Sequence, residues 1–306
     1  MTARCCDNDK VNLATVTVLA RDEWRPLEAA HQRRADAATS GHRERASRGD
    51  KHAIEDFLYR YYSVRPLRLR RWHPGVGVVI EDAEEHATWR FYRTTARGVG
   101  IDADAWWRER GDVADSIGRL LAATSSRPAF RGCFGLHEWA MVYRADEDRR
   151  HPLPLRLGAR GTDAVVEAHD LACTHIDAYR FFTPAARPRN ALQLTRADQL
   201  THEQPGCLHT TMDLYKWATK LTPIVPSDVV MDAFDLAMEV RYVDMQASPY
   251  DVSSFGLKAI MIETAEGKRE YAQRQADFAA RAHVIRERLL DVIAMARAAS
   301  ELPART

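Results

Sequence analysis

The chain has 306 residues and a formal net charge of +1, and hydrophobic residues make up 45% of it. This length and composition allow one large domain or two small ones with a sizeable apolar core. The near-neutral charge excludes attraction of nucleic acid by the whole molecule, so any such contact would need a local basic patch. No apolar run is long enough for a transmembrane helix, and the first ten residues lack a signal-peptide pattern. We therefore expect a cytoplasmic protein that does not enter a membrane.

The cysteines point to free thiols. There are five of them, an odd number, and no Cys-x-x-Cys pair occurs. In a chain without a secretory leader this pattern argues against disulfides and against a structural zinc site of the usual kind. The cysteines are Cys5, Cys6, Cys133, Cys173 and Cys207.

The first fifty residues differ from the rest in composition. Residues 11–20 are typical of a short strand or a frayed tail, and 22–36 of a helix for which Asp22 can serve as the cap. Trp24, Leu27 and Ala30 would face inward from this helix. Residues 37–50 are polar and poor in apolar side chains, which indicates a mobile connector. We therefore divide the chain into an N-terminal part, 1–50, and a single mainly helical domain, 51–300.

Hydrophobic periodicity predicts a multi-helix domain that is mainly α, with a small antiparallel β element. Apolar residues at a spacing of seven in the last long segment indicate a packing surface, and Trp106, Val113, Ile117 and Leu120 would face the core from an earlier helix. The predicted helices are 51–62, 103–124, 132–144, 208–221, 227–247 and 267–297. The predicted strands are 75–80, 87–93 and 98–101, with a further possible strand at 257–263.

A basic segment at 63–75 places arginines beside an aromatic residue. Arg68 and Arg71 lie close in sequence to Trp72. Arginines interleaved with an aromatic ring suit phosphates and unstacked bases, so these three residues are candidates for substrate binding. The same pattern is typical of a surface turn packed by arginine stems.

The segment 203–220 carries the most chemistry. Pro205 and Gly206 end the preceding segment, and a helix follows, with Thr210 or Thr211 as its cap. One face of this helix is apolar. The other aligns an imidazole, a carboxylate and two amines at i, i+4, i+7 and i+11: His209, Asp213, Lys216 and Lys220. Such a row is either a solvated face or one wall of an active site.

A second group of ionisable residues lies near Cys173. In an extended chain His175, Asp177 and Tyr179 would share one face, whereas in a helix Asp177 would leave it. Further upstream, His137 and Glu138 are adjacent, so they point about 100° apart and only one of them can face a site.

These residues allow two kinds of chemistry. In the first, a carboxylate activates water against an N-glycosidic bond in a flipped-out base, without a cofactor. The catalytic candidates are Asp213, His209, Lys216 and Asp177, and the substrate-binding candidates are His175, Tyr179, Arg180, Trp217, Arg68, Arg71 and Trp72. In the second, a metal ion is held by nitrogen and carboxylate ligands, which suit iron, manganese or zinc. The candidate ligands are Glu138, His175, Asp177, Glu203 and His209.

Two non-catalytic alternatives remain. His, Asp and Glu residues from distant segments also form buried structural networks, and a damage-recognition or scaffold protein would need neither site. A scaffold would instead expose an apolar patch.

Four segments resemble a bacterial family labelled 3-methyladenine DNA glycosylase. They read FGLHEWAMVYR at 134–144, HIDAYRFF at 175–182, EQPGCLHTTMDLYKWA at 203–218 and DMQASPYD at 244–251. The resemblance extends over about residues 50–282 and implies removal of alkylated purines, with DNA as the partner. The sequence lacks the helix-hairpin-helix pattern of one large glycosylase superfamily, and the resemblance supplies no catalytic residue. We therefore expect a DNA glycosylase-like hydrolase, with a metal-dependent enzyme acting on a small molecule as the alternative.

Overall fold

The computed structural model describes residues 16–145 and 152–301. Within these ranges the chain is mainly helical with one small sheet, as predicted. The helices are α1 (Arg21–Arg48), α2 (Asp56–Tyr61), α3 (Pro66–Arg70), α4 (Glu84–Ala87), α5 (Ala103–Ser125), α6 (Leu136–Ala140), α7 (Gly158–Glu167), α8 (Ile176–Tyr179), α9 (Gln199–His202), α10 (Leu208–Lys220), α11 (Ser227–Ala247) and α12 (Ala265–Glu301). The strands are β1 (Thr17–Leu19), β2 (Val78–Ile80), β3 (Tyr92–Thr95) and β4 (Gly98–Ile101).

The 37-residue helix α12 supports one side of the core. The predicted stripe at a spacing of seven is confirmed, since Tyr271, Phe278, Ile285 and Val292 are all buried. Further buried residues lie between them, so the spacing alternates between four and three, as in a helix that packs along its length. Its partners are α5, α10 and α11.

Helix α10 lies at the centre of the domain, between α11 and α12. Of its 13 residues, the two that are not buried are Lys216 and Lys220. A helix enclosed on every side normally carries apolar residues all round. This one also buries His209 and Asp213, so its polar residues must find partners inside the protein.

The sheet is mixed, with the strand order β1-β2-β4-β3. The predicted antiparallel element corresponds to β2, β4 and β3, whereas β1 adds a parallel pairing with β2 that the sequence did not indicate. Short strands with few alternating residues carry little information about their pairing direction. Of the predicted strand 87–93, only Tyr92 and Arg93 belong to a strand, β3; α4 ends at Ala87, and residues 88–91 form turns.

The connector predicted over 37–50 is wrong as a structural assignment, because α1 continues to Arg48 and ends at Gly49. The polar residues here have specific partners: the Arg45 guanidinium pairs with the Glu55 carboxylate, and the His42 ring stacks on Tyr59. The start of the helix also differs from the prediction, because Ala20 occupies the cap position and its amide donates to Glu23. The division of the chain at residue 50 stays a prediction.

Other differences concern faces and ends of elements. Leu27, Ala30 and Val113, predicted to face inward, are exposed. The predicted helix 132–144 is regular only in α6, and the residues at 257–263 form no strand. Cys133, Cys173 and Cys207 are free thiols, whereas Cys5 and Cys6 lie outside the described residues. None of the described helices combines the length and the apolar character needed to cross a membrane.

Candidate metal centre

The row of ionisable residues on α10 faces the interior, towards the His175 segment. Asp213 is 1% and His209 9% exposed, and the His175 Nε2 atom lies 3.5 Å from Asp213 Oδ2. His209 and Asp213 therefore face the interior beside His175, whereas Lys216 is half-buried and Lys220 is exposed. The helix begins after Cys207 and not at Thr210 or Thr211. Gly206 allows this tight entry, because a Cβ there would lie 2.5 Å from the Phe130 carbonyl oxygen.

One group of converging side chains comprises His175, Glu203 and Asp213, which we name the outer cluster. His175 precedes α8, Glu203 follows α9 and Asp213 lies on α10. His175 Nε2 is 3.3 Å from Glu203 Oε1 and 3.5 Å from Asp213 Oδ2. Two atoms bound to one metal ion at about 2.0–2.2 Å lie about 3–3.5 Å apart, so these separations fit a coordination shell.

A second group comprises His137, His209 and Asp244, which we name the inner cluster. His137 lies on α6, His209 on α10 and Asp244 on α11. His137 Nε2 is 3.0 Å from Asp244 Oδ1. In each cluster one candidate ligand atom per residue can be chosen so that all three lie within 4.8 Å of one another. Two imidazoles and one carboxylate are a donor set that suits iron and zinc.

The ring of His209 places the two clusters side by side. It lies edge-on to the His137 ring, at 4.5 Å between centroids, and nearly parallel to the His175 ring, at 5.3 Å. The six residues therefore form one continuous polar centre, which is enclosed by helices from distant parts of the chain.

Several of these polar atoms have no hydrogen-bond partner although they are buried. They include both ring nitrogens of His175, His137 Nε2 and Asp244 Oδ1. An unpaired buried polar atom costs about 1–3 kcal/mol, so native proteins rarely leave several at one place. A bound cation would satisfy the lone pairs that these atoms direct at one another.

Around the centre, buried carboxylates outnumber the buried side chains of arginine and lysine. Five carboxylates are at most 6% exposed, whereas Arg241 and the mostly buried Lys216 are the cations that pair with them from inside. The carboxylates are those of Glu138, Asp177, Glu203, Asp213 and Asp244. The carboxylates outweigh burial and raise the pKa of the His137 and His175 imidazoles, so protons on these rings or a divalent cation would supply further positive charge.

The pKa directions follow from this imbalance. Burial lowers the pKa of the His175 imidazole, but the Glu203 and Asp213 carboxylates outweigh it, and the pKa is raised. Burial raises the pKa of Glu203. In the inner cluster burial and the neighbouring His137 lower the pKa of His209, which keeps a nitrogen lone pair available. Protons on imidazoles and metal ions compete for the same lone pairs.

Neighbouring groups orient the clusters. The Tyr62 hydroxyl donates to Asp213 Oδ1 at 3.2 Å, and the Gln199 amide donates to Glu203 Oε1 at 2.7 Å. Arg241 Nη1 lies 2.9 Å from Asp244 Oδ2 and 3.0 Å from Glu138 Oε1. Such outer contacts fix the direction of ligands in metal sites.

A charged layer joins the outer cluster to the surface. Lys216 Nζ is 2.9 Å from Asp213 Oδ2 and 3.3 Å from Asp177 Oδ2. Asp177 in turn accepts a hydrogen bond from the exposed Arg196 at 2.5 Å and lies near Arg180. Hydrogen bonding and charge from Arg196, Lys216 and His175 outweigh burial and hold the pKa of Asp177 well below its usual value.

Two predicted substrate-binding residues beside this layer are buried. Helix α8 begins only after His175, so His175 and Tyr179 do not line one extended face with Asp177. The Tyr179 hydroxyl donates to Gln193 and takes no part in either cluster. Trp217 is 9% exposed, and the amines of Lys216 and Lys220 lie over its ring.

The basic segment at 63–75 is separate from the centre. Trp72 is 7% exposed and stacks on Trp24, so its ring packs in the core near the sheet and is not presented to a base. Arg71 lies over the ring of Trp89, and Arg68 reaches the Thr222 hydroxyl. The arginines are exposed, but neither has a contact with a residue of either cluster.

Two of the five metal ligands predicted from the sequence are not in the clusters. Glu138 pairs with Arg241, and Asp177 pairs with Lys216 and Arg196. Of the adjacent pair His137 and Glu138, the prediction chose Glu138, whereas the structure turns His137 towards Asp244. His137 and Asp244 were not among the predicted ligands, since nothing in their local sequence shows how α6 and α11 are turned. Asp213 was predicted as a catalytic carboxylate and not as a ligand.

All six cluster residues lie in the four segments that carry the family resemblance. The described residues thus supply two adjacent His/carboxylate groups with the donor chemistry for iron, manganese or zinc. Comparison of the chain with models of protein families, with curated proteins and with solved structures finds no match.

Proposed function

We propose that the protein is a metal-dependent hydrolase that acts on a small molecule, with its catalytic ion held by the outer cluster. The observation that carries this proposal is the state of His175. Its ring is fully buried, neither nitrogen has a hydrogen-bond partner, and Nε2 lies 3.3–3.5 Å from two carboxylate oxygens. A purely structural histidine would normally be satisfied by hydrogen bonds at this depth.

The ligands are compatible with hydrolysis. One imidazole and two carboxylates suit zinc, manganese or iron, and leave room for water and substrate in the coordination shell. Such an ion would supply a Lewis acid that polarises a substrate oxygen and lowers the pKa of water.

The residues of the outer cluster and its surroundings have distinct tasks in this proposal. Tyr62 and Gln199 hold the carboxylates of Asp213 and Glu203 in place. Lys216 brings a positive charge next to Asp213 and close to the surface, where it would stabilise negative charge that develops on a substrate. Asp177 positions Lys216 from the opposite side.

The first test is metal content together with activity. We expect protein purified without chelator, or reconstituted after chelation, to bind zinc, manganese or iron stoichiometrically, as measured by mass spectrometry of the elements. A panel of chromogenic esters, phosphates and amides would then be hydrolysed by the loaded protein and not by the chelated protein. Chelated protein that takes up none of the three metals would overturn the proposal.

Removal of alkylated bases from DNA is the second candidate function. It is favoured by four cations in and beside the charged layer, with Asp177 as the carboxylate that binds the first three: Arg180, Arg196, Lys216 and Lys220. Local positive charge suits a phosphate backbone.

This candidate has its own assay. We expect a glycosylase to release free base from methylated DNA, and expect Asp213→Asn to abolish the release. Release that persists in the chelated protein would support a carboxylate mechanism over the metal-dependent one. No release at any metal loading would remove the second candidate.

A further inference from the structure

We infer that the inner cluster binds a second metal ion beside the one proposed for the outer cluster, so that the centre is binuclear. Its ligands would be His137 Nε2, Asp244 Oδ1 and one ring nitrogen of His209. This goes beyond the proposed function, which requires only the outer ion.

The first argument is the arrangement of His137 and Asp244. Their facing atoms, Nε2 and Oδ1, are 3.0 Å apart, yet both are buried and neither makes a hydrogen bond of acceptable geometry. A salt bridge built for its own sake would align the N–H with the oxygen. Two lone pairs that converge on a common point instead fit two ligands of one ion, which lie about 3 Å apart at bonds of about 2.1 Å.

The second argument is that the remaining atoms of both side chains are already engaged. Asp244 Oδ2 accepts from Arg241 Nη1 at 2.9 Å, which leaves Oδ1 facing the cluster. His137 Nδ1 lies 3.5 Å from Cys133 Sγ, so Nε2 is the nitrogen turned inward. Metal-binding histidines are typically held through their other nitrogen in this way.

The third argument concerns His209. The His209 ring is 9% exposed and contacts the rings of both other histidines, at 4.5 Å from His137 and 5.3 Å from His175 between centroids. One of its ring nitrogens lies within 4.8 Å of the candidate ligand atoms of His137 and Asp244. As a ligand it would complete a set of two imidazoles and one carboxylate.

The two clusters share no residue, so each has three candidate ligands of its own. Ligand atoms converge within 4.8 Å inside each trio, and the two trios share no member. The Arg241–Glu138 pair supports the inner trio, whereas Lys216 and Asp177 support the outer one. Each ion would therefore have its own ligands and its own supporting contacts.

The test is the stoichiometry of metal binding to the chelated, full-length chain, titrated with zinc and followed by calorimetry. We expect two zinc ions per chain in the wild type and one in each of two variants, His137→Ala and His175→Ala. His137→Gln is a second inner variant of closer size, in case the alanine variant does not fold. The matched control is His86→Phe, which changes a buried histidine outside both clusters and should leave two ions.

The outcomes separate this inference from the proposed function. One ion in the wild type that is lost in His175→Ala, but kept in the folded inner variants, overturns the second site and leaves the proposed function intact. One ion that is lost in the inner variants and kept in His175→Ala places a single ion at the inner cluster, and overturns both the binuclear centre and the proposed function. No bound ion in the wild type overturns both.

A spectroscopic measurement tests whether the two ions are neighbours, which the number of bound ions does not show. With manganese as the probe, two ions in neighbouring clusters should broaden each other's electron paramagnetic resonance spectrum by magnetic dipolar coupling in the wild type. The spectrum of His137→Gln should be that of an isolated ion. Uncoupled spectra in both proteins at full loading would contradict a binuclear centre.

Discussion

Two buried histidines of this protein, His86 and His175, have the same exposure and opposite surroundings. Each is 0% exposed, and each has two ring nitrogens without a hydrogen-bond partner. The His86 ring lies among aromatic rings, those of Trp24, Trp72 and Trp89. The His175 ring faces carboxylates. Burial alone therefore does not distinguish a packing residue from a ligand.

The difference is electrostatic. Burial among aromatic rings lowers the pKa of His86 and outweighs the opposing effect of the Glu28 and Glu85 carboxylates. At His175 the Glu203 and Asp213 carboxylates reverse the effect of burial and raise the pKa. The surroundings of His86 stabilise a neutral ring that fills space. The surroundings of His175 attract a cation, which can be a proton or a metal ion.

The largest effect should come from His175→Ala. Loss of a ligand removes the outer ion, and Lewis-acid stabilisation is worth several kcal/mol, so the hydrolytic rate should fall about a thousandfold or more. The rate is measured on the best substrate of the panel. His86→Phe should keep the wild-type rate. Equal losses in the two variants would show that His175 acts through packing, as His86 does.

Trp24→Ala should disturb the aromatic surroundings of His86 and leave the two clusters unchanged. Trp24 is fully buried, stacks on Trp72 at 5.9 Å and donates its indole N–H to the Glu81 carbonyl. Its truncation should lower the free energy of unfolding by about 3–5 kcal/mol, as measured by urea denaturation. The folded fraction should still bind metal with the wild-type stoichiometry. A changed stoichiometry would mean that the two regions are not independent.

Metal should stabilise the protein by a smaller amount. A free ion concentration of 100 times Kd raises the free energy of unfolding by about 2.7 kcal/mol for one site, if the unfolded chain does not bind. We expect this increment in the wild type and in His86→Phe, from denaturation with and without chelator. His175→Ala should lose the share that belongs to the outer ion. An unchanged increment there would place the stabilising ion elsewhere.

His86→Phe should have the smallest effect. Phenylalanine retains a flat ring among the tryptophans and removes two unpaired nitrogens, so the free energy of unfolding should change by less than about 1.5 kcal/mol. Urea denaturation measures this change. A loss above about 3 kcal/mol would indicate that the His86 nitrogens have partners essential to the fold.

Helices with a clear apolar stripe could be predicted from the sequence. Helices α5, α11 and α12 were found in this way because their buried residues recur at helical spacing. The second half of α1 was missed because its partners, Glu55 among them, are polar groups of another segment. Local periodicity cannot show a helix that is stabilised by distant ion pairs.

The candidate site was predictable to a similar extent. The row on α10 and the approach of His175 followed from spacing and from the density of ionisable residues. The choice of His137 over Glu138, and the role of Asp244, depend on how α6 and α11 are rotated about their axes. That rotation is set by packing against α10 and α12, which no short sequence pattern records.

One turn of α10 supplies a side chain to each cluster, since His209 and Asp213 are four residues apart. Four residues advance about 6 Å along a helix axis, and hydrogen-bonded backbone makes that step rigid. The main chain of α10 therefore fixes the distance between the His209 position of the inner cluster and the Asp213 position of the outer cluster. A movement of α10 would displace both together and could not draw them apart.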